Sequence, residues 1–94
     1  MRFYEQRVGW NRIVKAVESV KGEKWEAFRD RHGDWGRYAA LYFGRIQGRM
    51  KLTELSAAVG NIDYAAVGGA ISRFGKRLGK GEMRKEARRI ESEL

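Results

Sequence analysis

The segment Leu52–Leu78, LTELSAAVGNIDYAAVGGAISRFGKRL, limits what this chain can become more than any other stretch. Leu52, Leu55, Ala58 and Val59 recur at the spacing of one helix face. Gly60 then stops that helix, because the left-handed backbone that ends helices is least strained in glycine. Asp63 can cap a second helix by accepting hydrogen bonds from free backbone N–H groups. Ile62 and Val67 stand at the two positions of a hydrophobic staple, which fixes the angle at which the chain joins the helix. Val67, Ala70, Ile71, Phe74 and Leu78 continue as one apolar stripe. A short helix, a three-residue corner and a longer helix form a helix-turn-helix pattern. Such a pattern offers the first turn of its second helix to a DNA groove.

The rest of the chain supplies helices around that pair. Met1–Gly9 is weakly patterned: either Phe3, Tyr4 and Val8 pack, or the segment is a flexible arm. Trp10, Ile13, Val14, Val17 and Val20 mark a helix over 10–20, ended by Gly22, with Lys15, Glu18 and Lys21 on its wet face. Glu23–Arg31 reads as a short second helix with Trp25 and Phe28 inward. Arg29, Arg31 and His32 then lead, as a basic loop, into Gly33. Asp34 suits the N-cap of a third helix over 35–47. Its wide apolar set (Trp35, Tyr38, Ala39, Leu41, Tyr42, Phe43, Ile46) makes it the central helix. Gly79-Lys80-Gly81 is a hinge before a last helix over Glu82–Leu94. There Met83, Ala87, Ile90 and Leu94 share one side, and Arg84, Lys85, Arg88 and Arg89 the other. The pattern predicts a small all-α domain of about six helices over residues 1–94, with 79–94 as its C-terminal part.

Gly44, Gly48, Gly68 and Gly69 fall in or beside helical patterns, where a glycine is about 1 kcal/mol worse than alanine. Gly44 and Gly48 predict close packing of another backbone. The adjacent pair Gly68 and Gly69, about 2 kcal/mol by the same scale, predicts close approach of a neighbouring helix or of a DNA backbone.

The formal net charge of +8 on 94 residues fits either solubility or a polyanionic partner. Arg31, Arg37, Arg45, Arg49, Lys51, Arg73, Lys76, Arg77 and Lys80 fall around the helix-turn-helix pattern. Such cations mostly hold phosphates, which fix register without reading sequence. Tyr64, at the first position of the second helix, is expected to face outward. Trp10, Trp25, Trp35, Tyr38, Tyr42 and Phe74 lie on apolar stripes and are expected in the core. The chain has no cysteine and one histidine, so a thiolate metal site is excluded and a zinc site is not expected. Glycine-rich nucleotide loops, paired carboxylates and a nucleophile–base set are absent, so neither a cofactor nor an enzyme activity is expected. No apolar run approaches the length of a membrane span. The expected location is therefore cytoplasmic, at the nucleoid.

The run RHGDWGRYAALYFGRIQGRMKLTELSAAVGNIDYAAVGGAISRFGKRL resembles the C-terminal DNA-binding domain of REP-associated tyrosine transposases. More distantly, it resembles domain IV of the bacterial replication initiator DnaA. The likeness covers about residues 10–94 and is carried by GDWGR, by LTEL with its following glycine, and by DYAAV with SRFGKRL. It implies a DnaA-like, Trp-repressor-like fold and a transposase-related module that recognises double-stranded DNA, such as hairpin or repeat sequences. It also implies a recognition helix opening with Asp63, Tyr64, Ala65 and Ala66. The family has hydroxyl residues at the last two positions, and this chain has none there. The family's basic loop, inserted in the minor groove, matches Arg29, Arg31 and Arg37, with Arg31 nearest the inserted position. Lys51, Arg73, Lys76 and Arg77 complete the expected contact set. The family's catalytic domain needs a histidine pair that a single His32 cannot provide. The alternative, favoured by the missing hydroxyls, is a protein-interaction or structural module on the same scaffold. RNA binding is weaker still, because A-form RNA hides its major groove from a helix.

Overall fold

Local signals set most helix ends. The computed structural model describes residues 8–31 and 33–94. Among these lie α1 (Trp10–Lys21), α2 (Trp25–Phe28), α3 (Trp35–Ile46), α4 (Leu52–Ala58), α5 (Tyr64–Gly79) and α6 (Arg84–Ser92), and no strand. Gly22 ends α1 in the left-handed conformation, φ 73°, with its N–H donating to the Glu18 carbonyl. Asp34 caps α3 by accepting from the Gly36 N–H at 2.7 Å. Asp63 caps α5 by accepting from the Ala65 N–H at 3.1 Å. His32, Phe3 and Tyr4 lie outside the described residues.

The corner between α4 and α5 is longer than the spacing suggests. α4 stops at Ala58, and both Gly60 and Asn61 are left-handed, at φ 96° and 61°. The Asn61 N–H donates to the Ser56 carbonyl at 2.8 Å, and the Ser56 hydroxyl donates to the Ile62 carbonyl. These bonds close the corner on itself and fix the direction in which α5 leaves it.

Two other elements differ from the sequence expectation. α2 is a single turn rather than a helix over 23–31. Its first N–H, on Trp25, donates to the Glu18 carboxylate at 2.7 Å, which ties it to α1 and draws Glu18 off the solvent face. α6 begins at Arg84 because Met83 is left-handed, φ 62°, and Glu82 is turned back to Arg77.

The core is formed by Ile13, Val17, Phe28, Leu41, Phe43, Leu55, Val67, Phe74 and Ile90, all fully buried. α3 is central as expected and packs on α1, α4 and α5, while α6 packs on α1. Ile46, expected inward, is instead 47 % exposed at the end of α3. Gly44 is needed for side chains rather than for a neighbouring backbone: a Cβ there would come within 2.7 Å of Leu55 Cδ2 and 3.0 Å of Trp10 Cζ3.

Lys21 departs furthest from its expected place on the wet face. Its side chain is only 7 % exposed. The ammonium lies over the rings of Phe28 and Trp35, 4.8 and 4.7 Å from their centroids, and 3.0 Å from the Asp34 carboxylate. A Cβ on Gly36 would run into the Lys21 stem and the Phe28 ring, so glycine makes room for this arrangement. Burial pushes the Asp34 carboxyl up, but hydrogen bonds from Lys21, the Gly36 N–H and Arg31 outweigh that and hold it below the usual range. A carboxylate depressed in the folded state stabilises the fold above its unfolded pKa. That contribution is lost as pH falls through the folded value. Asp34→Ala should lower stability by about 3 kcal/mol at neutral pH, combining a lost cap with a buried ammonium left only its weaker contact to Glu23, at 3.4 Å. Denaturant unfolding should show the gap from wild type narrowing as pH drops below about 4.

Candidate nucleic-acid interface

Packing on α3 decides which side of α5 faces out. Val67, Ala70 and Phe74 are buried. Phe74 contacts Tyr42 and Phe43, with ring centroids 5.1 and 6.2 Å apart. The opposite side therefore faces solvent. Asp63, Tyr64, Ala65 and Ala66 are all exposed, and Tyr64 is 58 % exposed, the larger of the two exposed large hydrophobics among the described residues. Ala65, Gly69, Arg73 and Lys76 follow at spacings of three or four and so share one face.

The start of α3 lies beside that face. Arg73 donates to the Tyr38 hydroxyl at 3.4 Å. Gly33, Arg37 and Tyr38 on one side, and Ala65, Ala66, Gly69, Ala70 and Arg73 on the other, bound a groove of about 240 Å³. A Cβ at Gly68 or Gly69 would meet nothing within 4 Å. The sequence left two reasons open for this glycine pair, and no neighbouring helix supplies the first. The helix carries two poor formers beside an open surface.

The charges divide into two groups. Arg29 pairs with Asp30 at 3.1 Å, and Arg77 with Glu82 at 3.3 Å. Arg31 pairs with Glu23 at 3.1 Å and Asp34 at 3.0 Å, and also donates to the Ala27 carbonyl. The hydrogen bond from Arg31 holds the Glu23 carboxyl below its ordinary range, and that from Arg29 does the same to Asp30. Arg37, Lys51, Arg73 and Lys76 have no ion pair among the described residues. Of the residues singled out from sequence, Arg37, Ala65, Ala66 and Arg73 meet in the groove. Asp63 and Tyr64 open the helix that forms one wall. Lys51 is exposed at the N-cap of α4, and its N–H donates to Glu54 at 2.8 Å. Arg29, Arg31 and Arg77 are occupied by carboxylates.

Four groove residues, Gly33, Tyr38, Gly69 and the buried Ala70 of the α5 stripe, were not singled out as contacts. Tyr38 was assigned to the core, yet its hydroxyl reaches Arg73. Gly33 belongs to a loop whose partner is more than thirty residues away in sequence. Gly69 is legible in retrospect, because it stands four residues after Ala65 and four before Arg73. Among the described residues no group of three or more histidines or carboxylates could hold a metal, and no helix is long and apolar enough to cross a membrane. No family model matches the chain, and no curated protein or solved structure is detectably similar to it.

The glycine pair generates a direct test. Gly68→Ala and Gly69→Ala should each stabilise the fold by about 1 kcal/mol, since alanine is the better helix former and meets no obstacle. Thermal unfolding should show each as a rise of about 4–8 °C.

Proposed function

We propose that this domain binds double-stranded DNA with sequence preference, using α4, the corner and α5 as a helix-turn-helix. The observation that carries the reading is the exposed first turn of α5, headed by Tyr64, beside a groove flanked by two guanidinium groups, Arg37 and Arg73, that have no ion pair among the described residues. In this reading the start of α5 enters the major groove. Tyr64 and the methyls of Ala65 and Ala66 meet base edges and thymine methyls. Gly68 and Gly69 let a sugar–phosphate strand approach the helix closely. Arg37, Lys51, Arg73 and Lys76 hold phosphates. The loop before α3 reaches the adjacent minor groove, and Arg37, in the first turn of α3, holds a phosphate flanking it, because Arg31 already bridges two carboxylates.

The resemblance to the transposase-associated domain extends the proposal. It supplies a DnaA-like, Trp-repressor-like scaffold, a transposase-related role in target recognition, and hairpin or repeat DNA at the nucleoid as the target. The absent hydroxyls at Ala65 and Ala66 support a second reading, a protein-interaction module on the same scaffold.

A duplex selected from a random pool separates the two. The Arg37→Ala, Arg73→Ala double variant should bind it at least tenfold more weakly near physiological salt. Its log-affinity against log-salt slope should be shallower by about 2, close to one unit per phosphate contact removed. Circular dichroism should show an unchanged fold, because neither side chain is buried and neither has an ion pair among the described residues. Equal affinity of the double variant, or no salt-dependent duplex complex with the wild type, would leave the protein-interaction reading.

A further inference from the structure

A second cationic surface lies on α6, remote from the groove. α6 turns Ala87 and Ile90 into the core, with Met83 and Leu94 packed beside them. At about 100° per residue, Arg84, Lys85, Arg88 and Arg89 fall within roughly 140° of arc on the opposite side. All four are exposed, and they line a hollow of about 580 Å³ with Gly81 and Ser92. No carboxylate falls inside that arc. Glu86 and Glu91 border it, and Glu93 is turned aside to accept from the Ser19 hydroxyl at 2.9 Å. None of the four cations has an ion pair among the described residues; Arg84 donates only to the Leu78 carbonyl, at 3.3 Å. The pairs 84/88 and 85/89 are like charges at i, i+4, which weaken a helix in isolation. Opposite charges stand at i, i+3 in 86/89 and 88/91, but neither closes to an ion pair among the described residues.

The face is built for phosphates rather than for bases or lipid. It presents charge without aromatic or apolar groups, so it has little with which to read a sequence. The apolar residues of α6 point into the domain, so none is free to enter a bilayer, as an interfacial helix requires. It is also separate from the groove: Tyr64 opens α5 and α6 follows its far end, and a helix of 16 residues spans about 24 Å. Resting on the DNA-binding reading, we infer that the α6 face holds backbone phosphates of a second stretch of the same duplex, beyond the stretch gripped at the start of α5. The domain then engages DNA at two ends, one reading sequence and one adding affinity.

The test uses the full chain, its selected site in duplexes of about 12 and about 30 base pairs, roughly one and three helical turns, and the triple variant Lys85→Gln, Arg88→Gln, Arg89→Gln. Arg84 is kept because it bonds the backbone. Wild type should bind the longer duplex at least tenfold more tightly at about 100 mM salt, with a steeper salt slope. The variant should lose that advantage while matching wild type within twofold on the short duplex and in thermal unfolding. Unchanged long-duplex binding by the variant would overturn the α6 inference and leave the groove reading intact. Failure of wild type to bind either duplex would remove both. Binding of wild type to vesicles of phosphatidylserine and phosphatidylcholine, lost in the variant with DNA affinity unchanged, would reassign the face to lipid and also overturn the inference.

Discussion

The contact between α3 and α5 governs the arrangement of this domain. Phe74 inserts against Tyr42 and Phe43, and Val67 and Ala70 are buried along the same side. That packing fixes the rotation of α5 about its own axis. A rotation by one residue, about 100°, would swing Gly69 and Arg73 away from the start of α3. Because the core of a small domain is closely packed, such a rotation meets steric resistance rather than a shallow gradient. The outward direction of the first turn is therefore a consequence of apolar burial further along the helix.

Charge pairing then sorts the cations of the domain. Lys21 and Arg31 converge on Asp34, and Asp34 in turn caps α3. This cluster anchors the loop before α3 and fixes where Arg37 begins. Lys21 is inaccessible and Arg31 is neutralised, so they act on position rather than on a ligand. Arg37 and Arg73, without a carboxylate partner among the described residues, remain available. Net charge alone could not have separated these two groups, since each contains arginines that look alike in the sequence.

Signals confined to a few neighbouring residues were legible. The Asp34 and Asp63 caps, the Gly22 stop, the apolar stripes of α1 and α5, and that of α3 short of Ile46 stand where spacing places them. What escaped depends on distant segments. Lys21 looks solvent-facing on a helical wheel, and only the arrival of Phe28, Trp35 and Asp34 makes its burial tolerable. Left-handed Asn61, after left-handed Gly60, lengthens the corner beyond α4, and left-handed Met83 delays the start of α6 to Arg84; neither residue is the glycine that usually marks such a backbone. The groove joins residues 33–38 to residues 65–73. Its two walls were each noted as basic or helical, but their juxtaposition follows from the α3–α5 packing alone.

An amide-resolved NMR titration of the labelled domain with its selected duplex tests the central claim most directly. The claim is that the start of α3 and the outer face of α5 form one binding surface. The account predicts the largest shifts at residues 64–69 and at Arg37, Tyr38 and Arg73, moving together with added DNA. Shifts concentrated instead around Ile46, Leu78 and Ala87, which line a separate hollow between α3 and α6, with the groove amides unmoved, would contradict it.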